Sequence, residues 1–364
     1  MSWLTKGFYL RGGGVEVKKI GPGKAVLRVV LAVLLLYLLM AAGLLFFKNR
    51  LVLYPSRDIE SNIGRIGWEF EDVWLEGAGG NKFNCWYLPA PEGAPTVLLL
   101  HGNSGNLELM IGRIIMWHKL GYGILGVDYE GFGHSEGRAT LEAAVADAEV
   151  AFDFLVARGV PPERILIHGF SLGGGVAAQL AWAKRAHHGP VVLEGTFTSL
   201  LDTGRIKFPF LRPMLPLVLG GTYDTLATLK KITPSFILFL HSPDDEIVPF
   251  ELGLKNFEAY DGGPKAFVTL EGAHMDFMSN QGTYSRSLEA VFGRGGGTKN
   301  WPFYSRSDGG GGGDDDAPEP PADPPPGSSA DHPPGPSADP RDSGGDPAPA
   351  AGSVAGTGTG AAAD

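Results

Sequence analysis

The residues best placed to do chemistry are Gly169-Phe170-Ser171-Leu172-Gly173, which match G-x-S-x-G and run straight into Gly174 and Gly175. An apolar run, 164–168, precedes them and a helical stretch, 173–184, follows. In that context the pattern predicts a nucleophile elbow, a tight turn that lifts a serine hydroxyl above a sheet with a helix N-terminus behind it. Glycine is needed there because the serine backbone is strained and neighbouring chains pass too close for a Cβ. The pattern occurs again at Gly133-His134-Ser135-Glu136-Gly137. Ser135, however, stands several residues past the run that ends near Asp128, with no helix before about Leu141. Ser171 is therefore the expected nucleophile.

A serine hydroxyl needs a base, and the base an orienting acid. Of nine histidines, His274 sits just past the last strand run, in Glu271-Gly272-Ala273-His274, and is the expected base. His101 and His241 end strand runs where a turn is being built, which suits structural roles. His168 lies inside the run before the elbow, His118, His187 and His188 fall on or near helices, and His134 and His332 accompany the rejected serine and the C-terminal segment. The acid should follow the run 236–240, where Asp244-Asp245-Glu246 offers three carboxylates. Asp245 is favoured by its spacing to Val248-Pro249, which open the next helix; Asp244 and Glu246 suit a solvated loop or a cap. The order Ser171, Asp245, His274 differs from that of the chymotrypsin and subtilisin types and is that of α/β-hydrolases.

Acyl transfer also needs donors for an oxyanion, each worth roughly 3–4 kcal/mol of transition-state stabilisation. The expected pair is the backbone N–H of Leu172 and that of Asn103, in the loop His101-Gly102-Asn103-Ser104-Gly105-Asn106. The Asn103 side chain has no necessary part. Gly121-Tyr122-Gly123-Ile124-Leu125-Gly126 matches G-x-G-x-x-G but precedes a strand run, so no dinucleotide site is expected. With no C-x-x-C or H-E-x-x-H pattern, neither a metal nor a cofactor is expected. The one cysteine, Cys85, reads as a strand filler.

These groups must be held by a particular framework. Residues 68–76 and 83–88 flank Gly77-Ala78-Gly79-Gly80-Asn81 and read as a hairpin. Apolar runs follow at 96–100, 123–127, 164–168, 191–193, 236–240 and 266–270, with helical stretches between most of them, notably 141–157 and 173–184. Near-continuous apolar strands alternating with helices predict a mostly parallel sheet covered on both faces, an α/β fold with its site beyond the carboxyl ends of the strands. This domain is assigned to residues 51–294, with a short cap at 199–233. The cap carries the apolar clusters Phe208-Pro209-Phe210-Leu211 and Met214-Leu215-Pro216-Leu217-Val218-Leu219. Either they face the cleft, where they would suit an acyl chain, or they pack on the body.

Both ends of the chain lie outside that domain. Residues 29–47 form 19 consecutive positions without a charge, apolar on every side, the length of a transmembrane helix. Ala41-Ala42-Gly43 could be part of a signal-peptide cleavage site, but the run continues through Phe47, which favours an uncleaved anchor. The basic segment 1–28 carries six Lys and Arg against Glu16, so the N-terminus should be cytoplasmic and the hydrolase domain extracytoplasmic. At the other end, the segment 295–364 is expected to be a disordered tail. Residues 309–364 hold 13 Gly, 12 Pro, ten acids and one base, and no Leu, Ile, Met, Phe, Tyr, Trp or Cys. It reads as a solubilising extension, or else a spacer or docking arm. The formal charge of −10 argues against a nucleic-acid partner. Nine of those charges belong to the tail.

Six segments together give the chain a resemblance. They are 101–106; Asp128-Tyr129-Glu130-Gly131-Phe132-Gly133-His134-Ser135; 169–174; Glu194-Gly195-Thr196-Phe197-Thr198-Ser199-Leu200; the Asp245 loop; and Gly272-Ala273-His274. Over about residues 45–290 the chain resembles the α/β-hydrolase superfamily, and within it the membrane-anchored, bud-emergence-like branch of serine hydrolases. Members of that branch also carry an N-terminal anchor followed by a segment like Asn49-Arg50-Leu51-Val52-Leu53-Tyr54-Pro55-Ser56. The resemblance implies the roles given to Ser171, Asp245, His274, Asn103 and Leu172, and places Ser135 in a structural turn. Glu130 departs from it, since Arg is commoner there, which would alter the charge at the rim. The expected activity is hydrolysis of an ester, thioester or related acyl bond, in an acyl-containing small molecule, a lipid or an acylated protein, with residues 29–47 in a lipid bilayer. The rival class is a non-catalytic membrane-tethered scaffold or binding protein.

Overall fold

In the computed structural model, which describes residues 6–11, 14–19 and 21–293, the apolar runs become strands. A hairpin of β1 (Lys6–Arg11) and β2 (Gly14–Lys19) precedes the long helix α1 (Pro22–Val52), and β3 (Tyr54–Pro55) follows it. The antiparallel pair β4 (Glu71–Glu76) and β5 (Lys82–Leu88) comes next, turning at 77–81 as the glycines there predict. Beyond it lie β6 (Thr96–Leu100), β7 (Ser104–Gly105), α2 (Ile111–Lys119), β8 (Gly123–Asp128), α3 (Leu141–Ala157), β9 (Ile165–Phe170), α4 (Leu172–Ala183) and β10 (Val191–Glu194). Then come α5 (Leu200–Lys207), α6 (Leu215–Leu219), α7 (Thr225–Leu229), β11 (Ile237–His241), α8 (Phe250–Ala259), β12 (Lys265–Thr269) and α9 (Phe277–Phe292).

The main sheet has the order β12-β11-β10-β9-β6-β8-β5-β4. All neighbours from β12 to β8 are parallel, while β5 and β4 run antiparallel at the edge. Every residue of β6, β8, β9, β10 and β11 is buried. That explains their unbroken apolar character: α3, α4 and α8 cover one face, and α2 and α9 the other. Strand β9 extends two residues past the expected run, because Gly169 and Phe170 still pair with Leu193 and Glu194 of β10. As a result the strand ends immediately before Ser171.

Helix α1 is 31 residues long, roughly 46 Å, and contains the whole apolar run 29–47. Only Ala41 on it is buried, and leucines such as Leu36 and Leu39 are more than 60% exposed. It meets the rest of the chain along one side. Tyr37 Oη donates to the Pro213 carbonyl at 2.7 Å, Leu44 packs on Leu215, Val218 and Leu219, and Lys48 pairs with Glu142 at 2.6 Å. The cap clusters thus divide, with Leu215, Val218 and Leu219 packed inward and Phe208, Phe210 and Leu217 exposed. The segment 295–364 and residues 1–5 of the basic segment lie outside the described residues.

Candidate active site

Ser171 occupies the single-residue turn between β9 and α4 with φ 54° and ψ −117°, one of two positive-φ non-glycine residues among those described. The strain is held by hydrogen bonds on both sides of it. Ser171 N donates to the Glu194 carbonyl at 2.8 Å, and the Ser171 carbonyl accepts from Thr196 Oγ1 at 2.8 Å and Gly174 N at 3.0 Å. Glycine is obligatory at two neighbours: a Cβ on Gly169 would lie 2.1 Å from the Gly173 carbonyl, and one on Gly173 2.1 Å from the Leu100 carbonyl.

The structure brings Ser171, His274 and Asp245 together from the ends of three strands. His274, in the loop between β12 and α9, places Nε2 2.9 Å from Ser171 Oγ and Nδ1 2.6 Å from Asp245 Oδ2. Asp245 Oδ1 accepts from the N–H groups of Ile247 and Val248 at 2.9 and 2.7 Å. Burial by itself would raise the Asp245 carboxyl pKa, but the hydrogen bonds from His241 and His274 outweigh it and hold the group well below the usual range. An ionised Asp245 accepts the Nδ1 proton of His274 and leaves Nε2 free to take one from Ser171. His241, at the end of β11, has Nε2 2.9 Å from the Val248 carbonyl and 3.2 Å from Asp245 Oδ2, so it helps to hold the acid as well as the turn. Glu246 does more than sit in solvent: its Oε2 accepts the backbone N–H of His274 at 2.9 Å.

The two expected oxyanion donors flank the nucleophile. Leu172 N–H opens α4, and the loop carrying Asn103 passes so close that a Cβ on Gly102 would lie 3.4 Å from that of Ser171. Neither N–H is taken by a protein acceptor among the described residues. The Asn103 side chain, given no part from sequence, has one: Nδ2 donates to the Val52 carbonyl at 2.8 Å, while Tyr54 N donates to the Asn103 carbonyl at 2.8 Å. β3 and β7 pair in parallel alongside. A cleft of about 220 Å³ opens here, lined by Tyr54, His101, Gly102, Asn103, Ser104, Leu109, Met110, Phe170, Ser171, Ile247, His274 and Met275. No cap residue lines it, so of the two alternatives for the cap clusters, facing the cleft is the wrong one.

Ser135 is consumed by the fold. Its Oγ donates to the Asp128 carbonyl at 2.6 Å and accepts from Asn84 N at 2.8 Å, fully buried. Contrary to the expectation from sequence, Glu130 does not charge the rim. It is buried under the hairpin turn, where Oε2 accepts from Asn81 Nδ2 at 2.8 Å, because the chain after β8 folds back against residues 77–81. His187 is satisfied by the Ile165 carbonyl at 2.8 Å and His118 lies against Trp68, while His101 is buried between Tyr129 and Phe132. Among the described residues no cluster of His, Cys, Asp or Glu could hold a metal.

One buried assembly escaped the sequence analysis. Arg113 makes a two-pronged pair with Glu194, with Nε 2.8 Å from Oε2, and Tyr284 Oη donates to the same oxygen at 2.8 Å. Trp117 Nε1 donates to His168 Nδ1 at 3.0 Å, which leaves His168 Nε2 to donate to Glu194 at 3.1 Å from a neutral ring. Burial depresses the His168 pKa, in keeping with that tautomer. Burial opposes ionisation of Glu194, yet the Arg113 guanidinium holds its carboxyl well below the usual range. Arg113 also lies over the Phe170 ring at 4.1 Å, and Phe170 stacks on His274 at 5.0 Å. No spacing rule links positions 113, 168, 194 and 284; the sheet alone gathers them.

Known proteins share this arrangement's framework. A family model for the alpha/beta hydrolase fold matches residues 95–213. The chain is 31% identical over 258 residues to the alpha/beta hydrolase domain-containing protein WAV2 of Arabidopsis thaliana, covering 65% of this chain and 83% of that protein. It is 26% identical over 223 residues to protein bem46 of Schizosaccharomyces pombe, covering 58% and 74%. Among solved structures, an esterase of Pyrococcus furiosus superposes with a TM-score of 0.55 at 20% identity, over 69% of this chain and 98% of that one. An alpha-beta hydrolase from Vibrio vulnificus does so with a TM-score of 0.54 at 23% identity, over 64% and 86%.

Proposed function

The chain belongs to the α/β-hydrolase superfamily, in the branch that includes WAV2 and bem46, and from that premise we propose that it is a membrane-anchored serine hydrolase cleaving an acyl ester or thioester. The observation that carries the reading is the unbroken relay Ser171 Oγ–His274–Asp245, with contacts of 2.9 and 2.6 Å.

Ser171 Oγ attacks the acyl carbonyl carbon while its proton passes to His274 Nε2, and Asp245 stabilises the resulting imidazolium through Nδ1–H. The carbonyl oxygen, now negative, is received by the N–H groups of Asn103 and Leu172. Collapse expels the alcohol or thiol, which takes the proton from Nε2 and leaves Ser171 acylated. Water then gives a proton to His274 and attacks the acyl carbon; the acid departs and Ser171 recovers its proton. Residues 29–47 span the bilayer with the basic segment on the cytoplasmic side and the domain 51–294 outside. The exposure of most apolar residues on α1 supports the span, because water does not tolerate so large an apolar surface.

A fluorophosphonate probe tests the reading. The intact protein and Ser135→Ala should label, and Ser171→Ala should not. Labelling that survives in Ser171→Ala but vanishes in Ser135→Ala overturns the site, and an intact protein that never labels supports the scaffold class instead.

A further inference from the structure

The cleft at Ser171 is built partly from the exit of the anchor. Tyr54, two residues beyond the end of α1, lines the same cavity as Ser171 and His274. The Val52 carbonyl and Tyr54 N both bond to Asn103, so the loop bearing an oxyanion donor is fastened to the last turn of the helix. From Phe47, where the apolar run ends, to Tyr54 the chain advances at most about 14 Å, five helical residues and two extended ones. The polar layer of a bilayer accounts for roughly 5–8 Å of that distance.

The lip of the cleft is apolar and open. Tyr54 is 57% exposed, Leu109 45%, Ile247 41% and Met275 46%. An exposed apolar rim is costly in water and suits an apolar partner. The cap carries Phe210, 96% exposed, with Phe208 and Leu217, and is tied to the anchor by the Tyr37–Pro213 hydrogen bond. Tyr37 lies ten helical residues, about 15 Å, inside the end of the apolar run. A cap fastened there sets its exposed apolar side chains beside the outer half of the span, so this part of the domain dips into the outer leaflet. Tyr54, and with it the cleft it lines, is therefore held within about 14 Å of the end of the span.

We infer that this hydrolase takes its substrate from the leaflet that holds its anchor, and that the substrate is a lipid carrying an acyl ester or thioester. The inference rests on the proposed serine mechanism and adds to it the substrate class and the route of entry. A lipid is favoured over an acylated polypeptide because a peptide chain needs partners for its own N–H and C=O groups, and the lip offers side chains of Tyr, Leu, Ile and Met. Arrival of the acyl chain along Tyr54 and Leu109 would bring the carbonyl to Ser171 without passing through bulk water.

The test uses the full chain reconstituted in phosphatidylcholine vesicles, with 4-methylumbelliferyl oleate in the same bilayer and 4-methylumbelliferyl butyrate in the buffer. Oleate hydrolysis per molecule of protein should follow the ester's mole fraction in the bilayer and stay constant when the vesicles are diluted tenfold. It should fall at least tenfold when protein and oleate are placed in separate vesicles. Ile247→Glu and Leu109→Glu should lower the oleate rate at least tenfold more than the butyrate rate. An oleate rate that falls in proportion to dilution, or that loses no more than the butyrate rate in both variants, overturns the inference while leaving the serine mechanism standing. Faster cleavage of a vesicle-bound S-palmitoyl peptide than of the oleate ester overturns the lipid assignment in favour of an acylated protein. Absence of hydrolysis of either ester, together with absence of fluorophosphonate labelling, sinks the mechanism itself.

Discussion

Ser135 and Ser171 sit in the same five-residue pattern and have opposite fates. One hydroxyl is locked between Asp128 and Asn84; the other is raised on a positive-φ turn beside a histidine. What a side chain can do is decided by its neighbours. Asp147 shows this for a charge. It is fully buried, with Oδ2 accepting from Glu130 N at 2.8 Å and Oδ1 unpartnered, and burial, aided by the Glu130 carboxylate, raises its pKa to about 7. In the unfolded chain the group titrates near 4. Between those values the folded state keeps a proton that the unfolded state has lost, so stability falls as pH rises from about 4 through 7. Asp147→Asn should therefore be more stable than the parent at pH 8, with the difference closing towards pH 4. Urea midpoints at the two pH values check this. His187, whose pKa burial lowers to about 4, contributes with the opposite sign but equally in both proteins, so it cancels in the comparison.

The elbow is the element on which the site depends, and its glycines are set by backbone approach. A Cβ on Gly173 would meet the carbonyl of Leu100 at the end of β6, and neither is free to move within a fully buried sheet. Gly173→Ala should cost several kcal/mol, in the range of overpacking a core or more, and abolish fluorophosphonate labelling even in whatever protein folds. Gly43→Ala, in α1 with nothing within 4 Å of the added carbon, should leave thermal unfolding and labelling unchanged. The strands were legible in the sequence because parallel strands covered on both faces are apolar along their whole length. Their ends were less so: β9 runs on to Phe170 because Gly169 and Phe170, read from sequence as part of the turn, still pair with β10, a partner that no local pattern announces.

At the level of the whole chain, the acidic balance describes an end and not a surface. Residues 309–364 carry nine of the ten net negative charges and no Leu, Ile, Met, Phe, Tyr, Trp or Cys, a composition that predicts no share in a core. Deleting them should leave fluorophosphonate labelling and its rate unchanged; loss of labelling on deletion would give the segment a part in catalysis that its composition does not predict. The anchor was expected to act as a tether. The hydrogen bond that the Val52 carbonyl accepts from Asn103 Nδ2, and the one that Tyr54 N donates to the Asn103 carbonyl, make the exit of α1 part of the site's wall.

Ser171, Asp245, His274, the Asn103 loop and the long apolar run were readable from order, spacing and residue type, because a strained turn needs glycine, a base must follow the last strand and a spanning helix must be apolar throughout. Folding alone settled the rest. It turned Glu130 inward beneath the hairpin, gathered Arg113, His168, Glu194 and Tyr284 behind the elbow, packed half of the cap against α1, and brought Tyr54 to the mouth of the cleft. Local patterns record what each residue demands of its own backbone. Contacts between residues far apart in the chain are set by how strands are ordered in the sheet, and that order is a property of the folded chain.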